Sequence, residues 1–108
     1  MKVTQMTSNR GNTIANQFIV SGATLSIGDD VYSGEVFQSY NSVIALKAYR
    51  KEGSTEPRKV FLDERYWDYS ATTRKYRGQF LGEGIAETHK KIESGEYILA
   101  DLNGGELS

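Results

Sequence analysis

The spacing of apolar residues changes once along this chain, and that change constrains the fold more than any other feature. Up to about residue 63 the pattern alternates, so that Ile14, Phe18 and Val20 fall on one face of an extended segment. From about residue 70 apolar and aromatic residues recur every three or four positions, which is typical of helices. A chain of strands followed by helices predicts an α+β fold in which the helices cover one face or end of a sheet.

The N-terminal part predicts about five strands joined by short turns into an antiparallel meander. The predicted strands cover residues 13–20, 23–27, 34–40, 43–49 and 59–63, with a break at Ser21–Gly22. The polar stretch 50–57 holds the single proline and predicts a solvated hairpin loop.

Two helices are predicted, over 71–81 and 85–94, followed by a closing strand or extended segment at 97–102. Ser70 is a suitable N-cap for the first helix, and one helical stripe is predicted from Tyr69, Thr73, Tyr76 and Phe80. Residues 1–103 are expected to form one domain, and residues 104–108 a flexible tail.

Composition excludes several kinds of chemistry. The 108 residues contain no cysteine and one histidine, which excludes a disulfide scaffold, a thiol nucleophile and a zinc site built from Cys or several His. We expect neither a metal nor another cofactor. The net charge of -1 argues against a strongly basic nucleic-acid binder. No apolar run has the length of a signal peptide or a membrane span, so a soluble protein without a membrane partner is expected.

Catalysis has weak candidates. Asp63, Glu64 and Asp68 group carboxylates near aromatic residues, and His89 lies at the edge of an apolar stripe with no nucleophile beside it. Carboxylates are common where a helix begins, and a lone histidine is usually a packing or surface residue. The sequence therefore favours binding over enzymatic activity. The polar turn around Arg10 and Asn12 is a candidate anion site, against the simpler interpretation of a hairpin turn.

The segment 65–80 is the strongest candidate for a binding surface because it mixes aromatic and basic side chains. Such residues dominate protein interfaces, and they can also stack bases and neutralise phosphates. Two alternatives to a binding role stay open. Trp67, Tyr76 and Phe80 are then part of the hydrophobic core, and the basic side chains form a solvated helix face. The candidate partner-binding residues are Arg65, Tyr66, Trp67, Tyr69, Arg74, Lys75 and Arg77. The alternative function is a nucleotide or nucleic-acid binding module.

Charge is segregated along the chain, because acidic residues without basic ones occupy 92–108. A basic segment and an acidic end, together with open sheet edges, leave a monomer and a homodimer as alternatives.

Short blocks spread over nearly the whole chain carry a family resemblance. They are NRGN at 9–12, ANQF at 15–18, FQSYNS at 37–42, WDYS at 67–70, TTRKYR at 72–77, QFLGE at 79–83 and SGEY at 94–97. In these blocks the chain resembles a group of small proteins from bacteriophages and prophages. The resemblance implies no catalytic residue. It implies a binding protein that acts in the host bacterial cytoplasm on a host protein, such as an anti-CRISPR or other anti-defence inhibitor, and a protein of the virion is a further alternative.

Overall fold

The computed structural model describes residues 1–49, 58–105 and 107, and their elements form an α+β fold. The predicted hairpin loop at 50–57 lies outside the described residues. The elements in chain order are β1 Lys2–Thr7, β2 Thr13–Ile27, β3 Asp30–Ser39, β4 Ser42–Ala48, β5 Lys59–Asp63, α1 Ala71–Leu81, α2 Ile85–Glu93 and β6 Tyr97–Ala100.

The described strands form one six-stranded sheet in chain order, β1 to β6. The first five strands pair antiparallel, which confirms the meander. The predicted break at Ser21–Gly22 is wrong, because β2 continues through it. The register shifts there between Val20 and Ala23, and Gly22 adopts a φ of 64°, so the glycine forms a bulge inside one long strand.

β6 lies parallel to β5, and the two helices supply the long connection that a parallel pair requires. Helix α1 has the predicted bounds. The Ser70 hydroxyl accepts a hydrogen bond from the Thr73 amide, and Gly82 ends the helix with a φ of 74°. Helix α2 ends one residue earlier than predicted, at Glu93.

The helices cover one face of the sheet. Tyr76 and Phe80 from α1 pack against Phe37, Ile44 and Leu62, and the rings of Phe37 and Phe80 stack at 5.8 Å. The burial of Thr73, Tyr76 and Phe80 confirms these members of the predicted stripe, whereas Tyr69, which precedes the helix, is 49% exposed and does not join the core. Tyr76 and Phe80 are therefore core residues and do not belong to a binding surface.

The opposite face carries a second apolar cluster that the chain after β6 covers. Leu102 packs there on residues that include Leu25 and Leu46, and Leu107 forms an antiparallel bridge with Leu25. A Cβ at Gly105 would lie 2.1 Å from the carbonyl oxygen of Ser26, so this part of the predicted tail lies directly against β2.

Candidate functional site

The segment between β5 and α1 is held in place by a buried carboxylate. Asp63 is 1% exposed, and its Oδ2 accepts hydrogen bonds from the backbone amides of Arg65 at 3.0 Å and Tyr66 at 2.8 Å. Its Oδ1 accepts the amide of Leu102 at 2.9 Å. Both oxygens are therefore committed to backbone donors, and Asp63 acts as a positioning residue.

This fixed segment presents two tyrosines. The rings of Tyr66 and Tyr69 meet edge to face with 5.7 Å between centroids, and Tyr69 remains 49% exposed. The guanidinium of Arg65 lies 6.0 Å from the Tyr66 ring. Arg74 and Lys75, in the first two turns of α1, are exposed. Arg65 and Tyr66 line one shallow groove, and Arg74 and Lys75 line another. We refer to Arg65, Tyr66, Tyr69, Arg74 and Lys75, which share the chain segment 65–75, as the aromatic–basic patch.

Trp67 lies between the two helices. The Arg77 guanidinium lies over the face of its ring, and the edge of the ring meets His89 at 5.2 Å. Trp67 is half-buried and also contacts the helix-side core. Trp67 therefore combines a packing role with a partly exposed edge, and the two interpretations of its role are not exclusive.

Arg77 is the main correction among the candidate residues. Its residue type predicts a basic side chain on the surface of the helix, but only 1% of Arg77 is exposed. Its Nη1 donates to the Trp67 carbonyl oxygen and, at 3.3 Å, to Asp68. Burial lowers the pKa of Arg77, and the bond to Asp68 opposes that shift. Arg77 follows buried Thr73 by four residues, so the two side chains lie on the same face of α1. This spacing is the sequence signal for the burial of Arg77.

Asp68 is shared by two arginines. Its Oδ1 lies 2.8 Å from Arg74 Nε and 3.3 Å from Arg77 Nη1. Burial acts to raise the pKa of Asp68, but the bonds from Arg74 and Arg77 outweigh burial and lower it. The carboxylate is therefore a charge partner, and the arrangement does not leave it poised as a proton donor.

The proposed anion turn lies apart from the patch. The hydroxyl of Ser8 accepts the backbone amides of Arg10 and Asn12, both at 3.3 Å, so these donors are used inside the turn. Gln79 in the last turn of α1 donates to the Thr7 carbonyl oxygen. The turn therefore adjoins the C-terminal end of α1, whereas the patch tyrosines Tyr66 and Tyr69 precede the N-terminal end of this helix, which is roughly 16 Å long.

A polar network at the start of α2 was not predicted. Glu83 accepts hydrogen bonds from Lys91 at 2.8 Å, Thr88 at 2.7 Å and Tyr97 at 2.5 Å. Burial acts to raise the pKa of Glu83, but these donors outweigh it and lower it, whereas burial beside Glu83 raises the pKa of Tyr97 to about 12. Glu87 precedes Lys91 by four residues on α2, a spacing that favours an ion pair, and their atoms lie 4.0 Å apart. No such spacing marks Glu83.

The sheet edge at β1 carries exposed apolar side chains. Met1 is 70% exposed and Val3 59%, and both line a shallow cleft of about 310 Å³ with Phe18, Val20 and Leu107. This edge is the place where a second strand can pair.

The described residues contain no group of three or more His, Asp or Glu residues that could hold a metal ion. No described helix is long and apolar enough to cross a membrane.

The sheet, the two-helix crossover and the patch define a small α+β protein with a preformed aromatic–basic surface. The chain belongs to a family of unknown function, DUF8033, whose pattern matches residues 1–98 and so covers the patch and both helices. No curated protein and no solved structure matches the chain.

Proposed function

We propose that this chain is a non-enzymatic binding protein that holds a protein partner on the aromatic–basic patch. The observation that carries the proposal is the fixed geometry of Tyr66 and Tyr69. The buried carboxylate of Asp63 anchors the backbone of Tyr66, and Tyr69 packs against it while half of its surface stays exposed. Tyrosines held in this way supply large contact area at a small cost in conformational entropy.

The charges around the patch favour a protein partner over a nucleic acid. Arg74 is already paired with Asp68, and exposed Glu64 adjoins Arg65. A nucleic-acid surface needs several basic groups that follow a phosphate backbone. A protein surface with one or two carboxylates opposite Arg65 and Lys75 fits this arrangement better.

The occupied carboxylates support the non-enzymatic part of the proposal. Asp63 accepts three backbone amides, and Asp68 accepts bonds from two guanidinium groups. General acid–base catalysis needs a group free to exchange its proton with a substrate.

The resemblance to small phage and prophage proteins favours a target in the host bacterial cytoplasm. A CRISPR effector or another defence protein is the partner class to test first. This part of the proposal depends on family likeness, and the patch itself depends on the contacts described above.

The test is affinity capture from bacterial lysate with three versions of the tagged chain. The double variant Tyr66→Ala/Tyr69→Ala removes the aromatic anchors, and Tyr49→Ala removes a tyrosine of similar exposure, 42%, that follows the far end of β4. We expect one host protein to be retained by the wild type and Tyr49→Ala and lost by the double variant. Retention by all three would rule out the patch.

Two other outcomes would change the partner class. A retained nucleic acid that is released by moderate salt would support the nucleic-acid alternative. A molar mass that rises with concentration in light scattering would identify a second copy of the chain as the partner. For a captured defence protein, rescue of phage or plasmid by the wild type and not by the double variant would establish inhibition.

A further inference from the structure

The groove between α1 and α2 is a second candidate site. It is an open groove of about 420 Å³, and we call it the interhelix cleft. Arg74, Lys75 and Arg77 line it from α1, and Gly84 and Ile85 line it from the start of α2.

Positive charge exceeds negative charge along the α1 side of this cleft. Arg74 and Arg77 share the single carboxylate of Asp68, and Lys75 is exposed with its ammonium 5.5 Å from the Tyr76 ring. This excess favours an anionic ligand.

The two acidic residues near the cleft, Glu83 and Glu87, both face Lys91. Glu83 also lines the cleft, but its oxygens accept bonds from Lys91, Tyr97 and Thr88, and it is 5% exposed. Glu87 Oε1 lies 4.0 Å from the Lys91 ammonium. Arg74 is paired with Asp68, so Lys75, which has no ion-pair partner among the described residues, is the basic group of this side that stays unbalanced.

The start of α2 adds backbone donors. Its N-cap is Gly84, which provides no side-chain hydrogen bond, and the Thr88 amide is the donor that reaches the Gly84 carbonyl oxygen. The amides of Ile85 and Ala86 precede that bond and have no acceptor within the helix. Free amides at a helix N-terminus favour an anion.

Arg77 gives an independent indication of uncompensated positive charge beside the cleft. It lines the cleft and is 1% exposed, yet its buried Nε has no hydrogen-bond partner among the described residues. A buried guanidinium donor without an acceptor destabilises the fold. The carboxylate that compensates the charge of Arg77 is Asp68, which also pairs with Arg74. An anion in the cleft offsets this deficit of negative charge.

We propose that the interhelix cleft binds the phosphate group of a small phosphorylated molecule. Lys75 and Arg74 neutralise the phosphate, the amides of Ile85 and Ala86 donate to it, and the exposed Ile85 side chain contacts the rest of the ligand. The site goes beyond the partner-binding proposal: it shares Arg74 and Lys75 with the aromatic–basic patch but does not use Tyr66 or Tyr69.

The test follows backbone amide signals by NMR during titration with inorganic phosphate and with adenosine monophosphate, at constant ionic strength set with chloride. We expect saturable shifts at Gly84, Ile85 and Ala86. Lys75→Gln should weaken phosphate binding about fivefold, the size of one partly exposed charge contact. Lys90→Gln, which makes the same charge change in the last turn of α2, should leave binding unchanged.

A backbone substitution tests the amide donors directly. Ile85→Pro removes one N–H at the first helical position, which tolerates proline, and the extended Gly84 with a ψ of 173° suits the residue before a proline. Compared with Ile85→Ala, it should weaken phosphate binding further while both variants stay folded.

Several results would overturn the proposal. One is that chloride alone reproduces the amide shifts seen with phosphate. A second is that Lys90→Gln weakens phosphate binding as much as Lys75→Gln does. A third is that an oligonucleotide without a terminal phosphate binds as tightly as adenosine monophosphate. The double variant Tyr66→Ala/Tyr69→Ala should keep phosphate binding. Loss of phosphate binding there would contradict the assignment to the cleft, whereas loss of the protein partner alone would leave it intact.

Discussion

The guanidinium of Arg77 lies over the indole ring of Trp67, with 4.9 Å between Cζ and the ring centroid. The same guanidinium donates to the backbone carbonyl of Trp67, so one side chain fixes both the ring and the segment that carries it. Through this contact the buried side of α1 is tied to the aromatic–basic patch.

Arg77→Ala should therefore destabilise the fold. We expect the free energy of unfolding to fall by about 3 kcal/mol, because a buried charged group and its packing on Trp67 are lost together. Urea denaturation followed by the fluorescence of Trp67, the single tryptophan, measures this loss. Arg77→Met retains apolar volume over the ring and should cost less than Arg77→Ala, and a loss below about 0.5 kcal/mol for Arg77→Ala would contradict this role.

Glu83→Gln should destabilise the protein at pH 7 by about 2 kcal/mol, since the carboxylate accepts charge-assisted bonds from Lys91 and neutral bonds from Tyr97 and Thr88. The pKa of Glu83 is lowered by folding. Its contribution is therefore complete above the ordinary value of 4.5 and is lost as the pH falls through the lowered value.

The measurement is the difference in unfolding free energy between wild type and Glu83→Gln across pH 7 to 3. This difference should shrink as the pH falls below 4.5. Glu87→Gln is the control, because that carboxylate is 63% exposed and 4.0 Å from Lys91, and it should change stability little. A difference that stays constant with pH would contradict the ionised state of Glu83.

Tyr40→Gly should be more stable than Tyr40→Ala. Tyr40 has a φ of 55°, a left-handed conformation that costs a residue with a Cβ about 1 kcal/mol, and its amide donates to Asn16 at 2.7 Å. Thermal denaturation should rank Tyr40→Gly above Tyr40→Ala, since both lose the side chain and the alanine keeps the strained backbone. Equal stability of the two variants would show that the backbone at this turn is not strained.

Gln17→Met should stabilise the fold. Gln17 is fully buried in β2, and neither atom of its amide has a partner among the described residues, although Ser39 lies across the strand pair. Replacing the amide by an apolar side chain of similar shape removes an uncompensated desolvation, which we expect to add about 1 kcal/mol in chemical denaturation. A loss of stability would show that the amide is hydrogen-bonded in solution.

Sequence periodicity predicts the helices well and the edges of the sheet poorly. Helix α1 follows from its Ser70 cap and its buried stripe, which are local signals. Strand β1 was not predicted because only Met6 in it is buried, so an edge strand shows little alternation. The continuity of β2 at Gly22 depends on pairing with β3, which no local pattern contains.

The candidate site was predicted in part. The aromatic and basic character of residues 65–75 is visible in the sequence, and the exposure of Tyr69 and Lys75 agrees with a surface role. The burial of Arg77 and the positioning role of Asp63 depend on contacts across 10 and 39 residues, with Trp67 and Leu102. Residue type alone favours the surface for both side chains, so the tertiary fold decides their placement.

The affinity of the captured partner for patch variants tests the central claim most directly. Calorimetric titration would compare the wild type with Tyr66→Ala, Tyr69→Ala and the control Tyr49→Ala. We predict that each patch variant weakens binding by about 2 kcal/mol, close to thirtyfold, while Tyr49→Ala binds like the wild type. Equal affinity of all four proteins would contradict the assignment of the aromatic–basic patch as the binding surface.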